Sequence, residues 1–93
     1  MSGAKRILLV DDDQQLRQAL AEQLAGDYAT VEVSTGADGI TAGKDGHFDA
    51  ILLDVGLPDM DGRDVCRQLR AAGVTAPVIM LTGAATETDT VAG

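Results

Sequence analysis

The sequence predicts an α/β protein with a parallel, doubly wound sheet, and two observations support this fold class. Short, wholly apolar runs at residues 7–10, 50–53 and 78–81 have the composition of strands buried on both faces. Stretches with helical spacing alternate with them, which is the pattern of β-α-β units. The 93 residues contain no linker or internal repeat, so one domain over residues 1–93 is expected.

The first β/α unit begins with the apolar run at residues 7–10, which stops at three consecutive aspartates. Asp13, the last of these, is the residue type of a helix N-cap, and Gly26 is typical of a helix end. Between them, leucines recur every fourth residue and predict one apolar helical face. These leucines are Leu16, Leu20 and Leu24.

The second unit is less regular. Valines alternate with polar residues over residues 29–34, which predicts a second strand. Residues 37–46 have the length and position of a helix, although Gly39 and Gly43 lower its intrinsic propensity.

The third unit starts with the apolar run at residues 50–53, which ends in Asp54. A loop containing glycine and proline follows over residues 55–62. An apolar helical stripe then marks the third helix, which Gly73 closes. The stripe consists of Val65, Leu69 and Ala72, with Cys66 beside it as a half-buried small hydrophobe.

The fourth strand, at residues 78–81, ends at Thr82. Residues 86–93 have the position of a fourth helix, and the domain is expected to end within or near that helix.

The composition argues against some classes of binding partner. Fifteen acidic and seven basic residues give a net charge of −8, which argues against nonspecific binding to nucleic acid or anionic membranes. The excess is compatible with a cation site, although it also aids solubility. No apolar run approaches the ~20 residues of a membrane helix. Cys66 has no second cysteine to pair with, and the cytoplasm is the expected location.

Polar residues follow the buried strands at the point where each strand ends. Asp11 and Asp12 follow the first, Asp54 ends the third, and Thr82 ends the fourth. Because ligands of parallel sheets bind outside the carboxyl ends of the strands, these residues are expected to share one pocket. Taken singly, each is equally consistent with a cap or a turn.

A group of carboxylates favours a hard divalent cation, and few ligands with room for water suit Mg²⁺. A carboxylate beside such an ion can act as a nucleophile toward phosphorus. The hydroxyl of Thr82 and the backbone N–H of Gly83 or Ala84 are placed to donate hydrogen bonds to a transferred phosphoryl group. His47 lies in a glycine-rich turn and is expected to be solvated.

Three segments resemble one known family, the CheY-like receiver domains of two-component response regulators. They are ILLVDDD at residues 7–13, FDAILLDVGLPDMDG at residues 48–62 and PVIMLTG at residues 77–83. The resemblance implies a flavodoxin-like fold with strand order 2-1-3-4 and the fifth β/α unit missing.

The resemblance also implies residue roles. Asp54 would accept the phosphoryl group, Asp12 would bind Mg²⁺ directly, and Asp11 would support the ion partly through water. Asp54 and the backbone carbonyl of Gly56 would be further ligands. Pro58 would hold the loop.

At the fourth strand, Thr82 would move toward the phosphoryl group, with Gly83 and Ala84 beside it. The family's switch aromatic and phosphoryl-pairing lysine, both in the fifth unit, have no counterpart in these residues. The chain is therefore expected to be a fragment of a longer regulator, or a short natural or engineered variant.

The implied partner is a sensor histidine kinase, with an output domain if the chain is a fragment. Neither direct nucleic-acid binding nor a membrane is expected. The fourth strand would be an exposed sheet edge, which predicts self-association.

Two alternatives stay open. The chain could be an interaction module that works without phosphorylation. It could also be a haloacid-dehalogenase-type phosphatase, since Asp11 and Asp13 form an Asp-x-Asp pair after the first strand.

Overall fold

The computed structural model describes residues 5–81 and the backbone of residues 86–88. Strands and helices alternate along the chain, as the apolar runs predict. The elements are β1 (Lys5–Val10), α1 (Gln14–Leu24), β2 (Tyr28–Val33), α2 (Gly36–Asp45), β3 (Ala50–Asp54), α3 (Gly62–Ala71), β4 (Val78–Leu81) and β5 (Thr86–Thr88). No helix in the described part of the chain is long and apolar enough to cross a bilayer.

The strands form one sheet in the order β2-β1-β3-β4-β5. The first four are parallel to one another, which confirms the predicted order 2-1-3-4. The register places Val10 of β1 beside Leu53 of β3. The next residues along the chain, Asp11 and Asp54, therefore lie side by side.

The segment after β4 differs from its prediction. Thr86–Thr88 forms a short strand antiparallel to β4 instead of beginning a helix, so β4 is not the edge of the sheet. An open edge offers unpaired backbone groups to any nearby chain, and β-branched threonines favour the extended backbone that uses them. The predicted helix at residues 86–88 and the predicted exposed edge at β4 were therefore both wrong.

The main core lies on the sheet face that α2 and α3 cover. Alternate strand residues point into it, together with the apolar face of α3 and one loop residue. Its buried members are Leu8, Val10, Ile51, Leu53, Leu57, Val65, Cys66, Leu69, Val78 and Met80. Cys66 is more deeply buried than predicted, whereas His47 is exposed as predicted.

Two glycines explain how α2 can pack so closely despite its low helix propensity. A Cβ atom at Gly39 would lie 3.0 Å from Val10, and one at Gly43 would lie 2.6 Å from Leu69. The helix therefore gains in packing what it loses in intrinsic propensity.

Helix α1 covers the other face of the sheet only loosely. Its predicted span is confirmed, but none of its residues is buried and Leu16 is 41% exposed. The leucine stripe therefore stays partly exposed instead of forming a closed core.

Candidate functional site

Three of the residues predicted to share a pocket lie together at the carboxyl edge of β1 and β3. Asp11 comes directly after β1, and Asp54 is the last residue of β3. Because β1 and β3 are adjacent and parallel, the two side chains emerge next to each other. One carboxylate oxygen from each of Asp11, Asp12 and Asp54 lies within 4.8 Å of the other two.

The three carboxylates differ in exposure. Asp11 is buried, with 3% of its surface accessible, whereas Asp12 is exposed and Asp54 is half-buried. Solvent can therefore reach Asp54 and Asp12, whereas Asp11 is shielded from it.

Burial and the crowding of carboxylates both raise the pKa of Asp11. Its burial is the largest cause, and the charges of Asp54, Asp12 and Asp13 act in the same direction. The hydrogen bond from the backbone N–H of Asp13 lowers this pKa and offsets part of the effect. The pocket is therefore a place where bound positive charge would be stabilising.

The backbone of Asp11 is fixed from two sides. Its N–H donates to the carbonyl of Val33 over 3.1 Å, which continues the β1–β2 pairing. Nη1 of Arg17 donates to the carbonyl of Asp11 over 2.8 Å, and Nε of Arg17 donates to Oε1 of Glu32 over 3.1 Å. Sequence reasoning missed Arg17, because it belongs to no motif and lies beside the apolar stripe of α1.

Asp13 is a helix cap and is not part of the three-carboxylate cluster. Its Oδ1 accepts a hydrogen bond from the N–H of Leu16 over 3.1 Å, so the N-cap prediction is confirmed. The Asp-x-Asp pair of the phosphatase alternative needs both carboxylates in the pocket, and this contact directs Asp13 to α1 instead.

The loop after β3 closes tightly on Asp54. The N–H of Gly56 donates to Oδ1 of Asp54 over 3.3 Å, and the N–H of Gly62 donates to the carbonyl of Val55 over 2.9 Å. A Cβ at Gly62 would collide with the backbone oxygen of Asp54, so only glycine fits there. Leu57 is buried in the core and Pro58 is exposed.

Asp59, which lies in the loop after β3, was not singled out in the sequence analysis. Oδ1 of Asp59 accepts a hydrogen bond from the N–H of Gly36 over 2.7 Å, and Oδ2 accepts one from the N–H of Ala37 over 2.9 Å. These bonds lower the pKa of Asp59, with the Gly36 bond the larger cause. No sequence pattern relates residue 59 to residues 36 and 37, which lie in a different β/α unit.

Part of the predicted site lies outside the described residues. Thr82, Gly83 and Ala84 fall there, and so their roles stay predictions. Within the described part, the donor set consists of carboxylate oxygens and a nearby loop backbone, which is the chemistry of a hard divalent cation.

Curated proteins with related sequences include a transcriptional regulatory protein and a response regulator. The family model of the response regulator receiver domain matches residues 7–93. The chain is 42% identical over 89 residues to the transcriptional regulatory protein TcrA of Mycobacterium tuberculosis. The aligned segment covers 95% of this chain and 35% of TcrA. It is 39% identical over 89 residues to the response regulator MprA of Mycobacterium ulcerans, covering 95% of this chain and 38% of MprA. The chain thus spans little more than a third of these curated relatives.

Solved structures with a similar fold include response regulators and their receiver domains. A CheY-like response regulator receiver domain protein from Methanospirillum hungatei superimposes with a TM-score of 0.83 at 30% identity, covering 89% of this chain and 67% of that one. The response regulator TrrA of Thermotoga maritima, solved in complex with Mg²⁺-BeF, gives a TM-score of 0.78 at 32% identity, covering 84% of this chain and 69% of that one.

Proposed function

This chain belongs to the response regulator receiver family of two-component signalling, and we propose from that premise that Asp54 is its phosphoacceptor. The observation that supports this choice is the cluster of Asp11, Asp12 and Asp54, whose oxygens lie within 4.8 Å of one another. Asp54 is the member that combines partial exposure with a position at the end of a central strand.

The residues fit a magnesium ion. Asp11, Asp12 and Asp54 would supply carboxylate oxygens, and the Gly56 carbonyl would be a fourth ligand. Burial and the neighbouring carboxylates together raise the pKa of Asp11, and a divalent cation would offset both effects. The TrrA complex with Mg²⁺-BeF supports the same metal. When bound, Mg²⁺ would neutralise phosphoryl oxygens and align donor with acceptor.

In the proposed reaction, a carboxylate oxygen of Asp54 attacks the phosphorus of a phosphohistidine. A P–O bond forms, the P–N bond breaks, and the leaving imidazole nitrogen takes up a proton. The N–H of Gly56, which donates to Oδ1 of Asp54, orients the nucleophile. Thr82, Gly83 and Ala84 would contact the phosphoryl group, and Pro58 would restrict the loop.

The partner in this reaction would be a sensor histidine kinase in the cytoplasm. The chain is proposed to act as a phosphoacceptor signalling domain and not as an enzyme with a separate substrate. Because the curated relatives are much longer than this chain, an output domain is proposed as the element that phosphorylation would control.

The direct test is incubation with acetyl phosphate and Mg²⁺, followed by intact mass measurement. The wild-type chain is expected to gain the mass of one phosphoryl group, and chelation of Mg²⁺ should prevent the gain. Asp54→Asn, which keeps the shape of the side chain but removes the nucleophile, should not gain mass.

The two alternatives give different results in the same experiment. A phosphorylation-independent interaction module would show no mass gain with or without Mg²⁺. A phosphatase acting through Asp11 would still gain mass in Asp54→Asn and lose the gain in Asp11→Asn.

A further inference from the structure

We propose that Asp59 is a positioning residue that ties the loop after β3 to α2 and thereby holds the Gly56 carbonyl at the metal site. This inference rests on the proposed function, since it assumes Mg²⁺ binding by Asp11, Asp12, Asp54 and Gly56. It adds a residue outside the acidic cluster and a second element, α2, to the parts that determine the geometry of the site.

The connection is a two-pronged hydrogen bond. Each carboxylate oxygen of Asp59 accepts from one backbone N–H at the start of α2, over 2.7 Å from Gly36 and 2.9 Å from Ala37. Two acceptors from one carboxylate fix orientation as well as distance, and a charged acceptor strengthens both bonds. The loop therefore has one defined position relative to α2.

Packing beside this connection is equally restrictive. A Cβ at Gly36 would collide with the side chain of Met60 and would lie 3.0 Å from Val65. Leu57, two residues before Asp59, is buried in the core. The loop is thus anchored at Leu57, Asp59 and Met60, immediately after Gly56.

Gly56 has few other restraints: a backbone bridge pairs it with Asp61 at the far end of the same loop. It is exposed, and a Cβ there would meet no atom within 4 Å. On its amino-terminal side, its N–H donates to Asp54 over a long 3.3 Å. The direction of its carbonyl is therefore set by the bridge to Asp61 together with the anchored residues between them.

A purely structural role for Asp59 would be to cap α2. However, Thr35 already caps this helix, since its Oγ1 accepts a hydrogen bond from the N–H of Asp38 over 3.1 Å. The test must therefore separate metal-site geometry from helix stability.

The experiment measures Mg²⁺ binding by amide NMR titration and, in parallel, the rate of phosphorylation by acetyl phosphate as a function of Mg²⁺ concentration. The variants are Asp59→Ala, which removes both acceptors, and Asp59→Asn, which keeps one. Asp38→Asn removes a charge from the same helix end and controls for electrostatics. Asp49→Asn controls for a lost carboxylate at the opposite end of the sheet, where Asp49 accepts from the N–H of Arg6 over 2.8 Å.

Asp59→Ala should raise the half-saturating Mg²⁺ concentration about 10-fold, as loss of a residue that orients a metal ligand usually does. Its phosphorylation rate at saturating Mg²⁺ should stay within about twofold of the wild-type rate, because the reacting groups are unchanged. Asp59→Asn should show a smaller rise, and both control variants should stay within about twofold of wild type. The amide signals of Gly36, Ala37 and Gly56 should shift in the Asp59 variants.

Wild-type Mg²⁺ affinity in Asp59→Ala would overturn the inference, as would an equal loss in Asp38→Asn or Asp49→Asn. If Asp59→Ala does not fold, the same criteria apply to Asp59→Asn. Absence of any Mg²⁺-dependent shift near Asp11, Asp12 and Asp54 in the wild-type chain would instead overturn the proposed function, and this inference with it.

Discussion

Asp11 is the residue at which the demands of function oppose those of folding. Burial and three neighbouring carboxylates raise its pKa, so the folded state binds a proton at this position more tightly than the unfolded state. The resulting destabilisation grows as the pH rises from the unfolded pKa of about 3.9 through the raised folded pKa, and it is complete above that value.

Asp11→Asn should therefore stabilise the metal-free protein at neutral pH, by about 1 kcal/mol, as relief of like-charge crowding commonly does. The amide oxygen can still accept the hydrogen bond from the Asp13 N–H. Urea unfolding with and without Mg²⁺ is the measurement. Wild type should gain about 2.7 kcal/mol at a Mg²⁺ concentration one hundred times Kd, and the variant should gain much less. A less stable metal-free variant, or an undiminished response to Mg²⁺, would contradict this.

Asp59 has the opposite dependence on pH. Its pKa is lowered by the N–H groups of Gly36 and Ala37, so its contribution to stability is present above the unfolded pKa and is lost as the pH falls through the lowered folded pKa. Asp59→Asn should thus be less stable than wild type at pH 6, with a difference that shrinks below about pH 4. Urea midpoints measured across this range test the prediction, and a difference that does not change with pH would contradict it.

The sequence was sufficient to locate the site residues at the end of a buried strand. It was not sufficient to identify residues whose contacts join separate segments of the chain. Asp11, Asp12 and Asp54 could be placed together because parallel strands deliver their carboxyl ends to one edge of the sheet. Arg17 contacts the backbone carbonyl of Asp11 and the side chain of Glu32, and Asp59 contacts backbone N–H groups of α2. No sequence pattern marks these pairs.

The element that most directly shapes the site is the loop between β3 and α3. It turns so sharply that Gly62, the first residue of α3, lies against the backbone of Asp54. The hydrogen bond from Gly62 N–H to the carbonyl of Val55 and the bridge between Gly56 and Asp61 close the loop.

Gly62→Ala should therefore destabilise the fold by about 1–3 kcal/mol, because its Cβ would displace backbone atoms that cannot rotate away. Phosphorylation of Asp54 should slow as well. Gly26→Ala is the matched control, since a Cβ at Gly26 meets no atom within 4 Å. The control should be neutral or slightly stabilising. Thermal unfolding compares the two variants, and equal stability would show that the loop is looser than described.

Helices and strands were predictable where core packing and intrinsic propensity favour the same secondary structure. Helix α3 and the strands β1, β3 and β4 have strong apolar patterns, and the structure confirms them. Helix α2 has a weak pattern because its buried positions are glycines that allow close contact with the sheet and with α3. The strand β5 was missed because its conformation depends on an open edge of β4 and not on its own periodicity.

At the scale of the whole molecule, charge and sheet topology act in opposite directions on self-association. The net charge of −8 repels a second copy, whereas β5, the last strand in the sheet order, is a short edge to which another chain could pair. Self-association, now expected through β5 instead of β4, remains a prediction.

Light scattering should show a dimer fraction that grows with protein concentration and with salt. Salt screens the repulsion between two acidic chains, and the Debye length falls from about 30 Å at 0.01 M to about 10 Å at 0.1 M. A monomer at every concentration and salt level would contradict the prediction.

The most direct test of the central claim is to locate the phosphoryl group on the chain. After reaction with acetyl phosphate and Mg²⁺, borohydride reduction converts an aspartyl phosphate to homoserine, which peptide mass spectrometry can assign to one position. The account predicts conversion at Asp54 alone, dependent on Mg²⁺ and abolished in Asp54→Asn. Conversion at Asp11 or Asp12, or none in the presence of Mg²⁺, would contradict it.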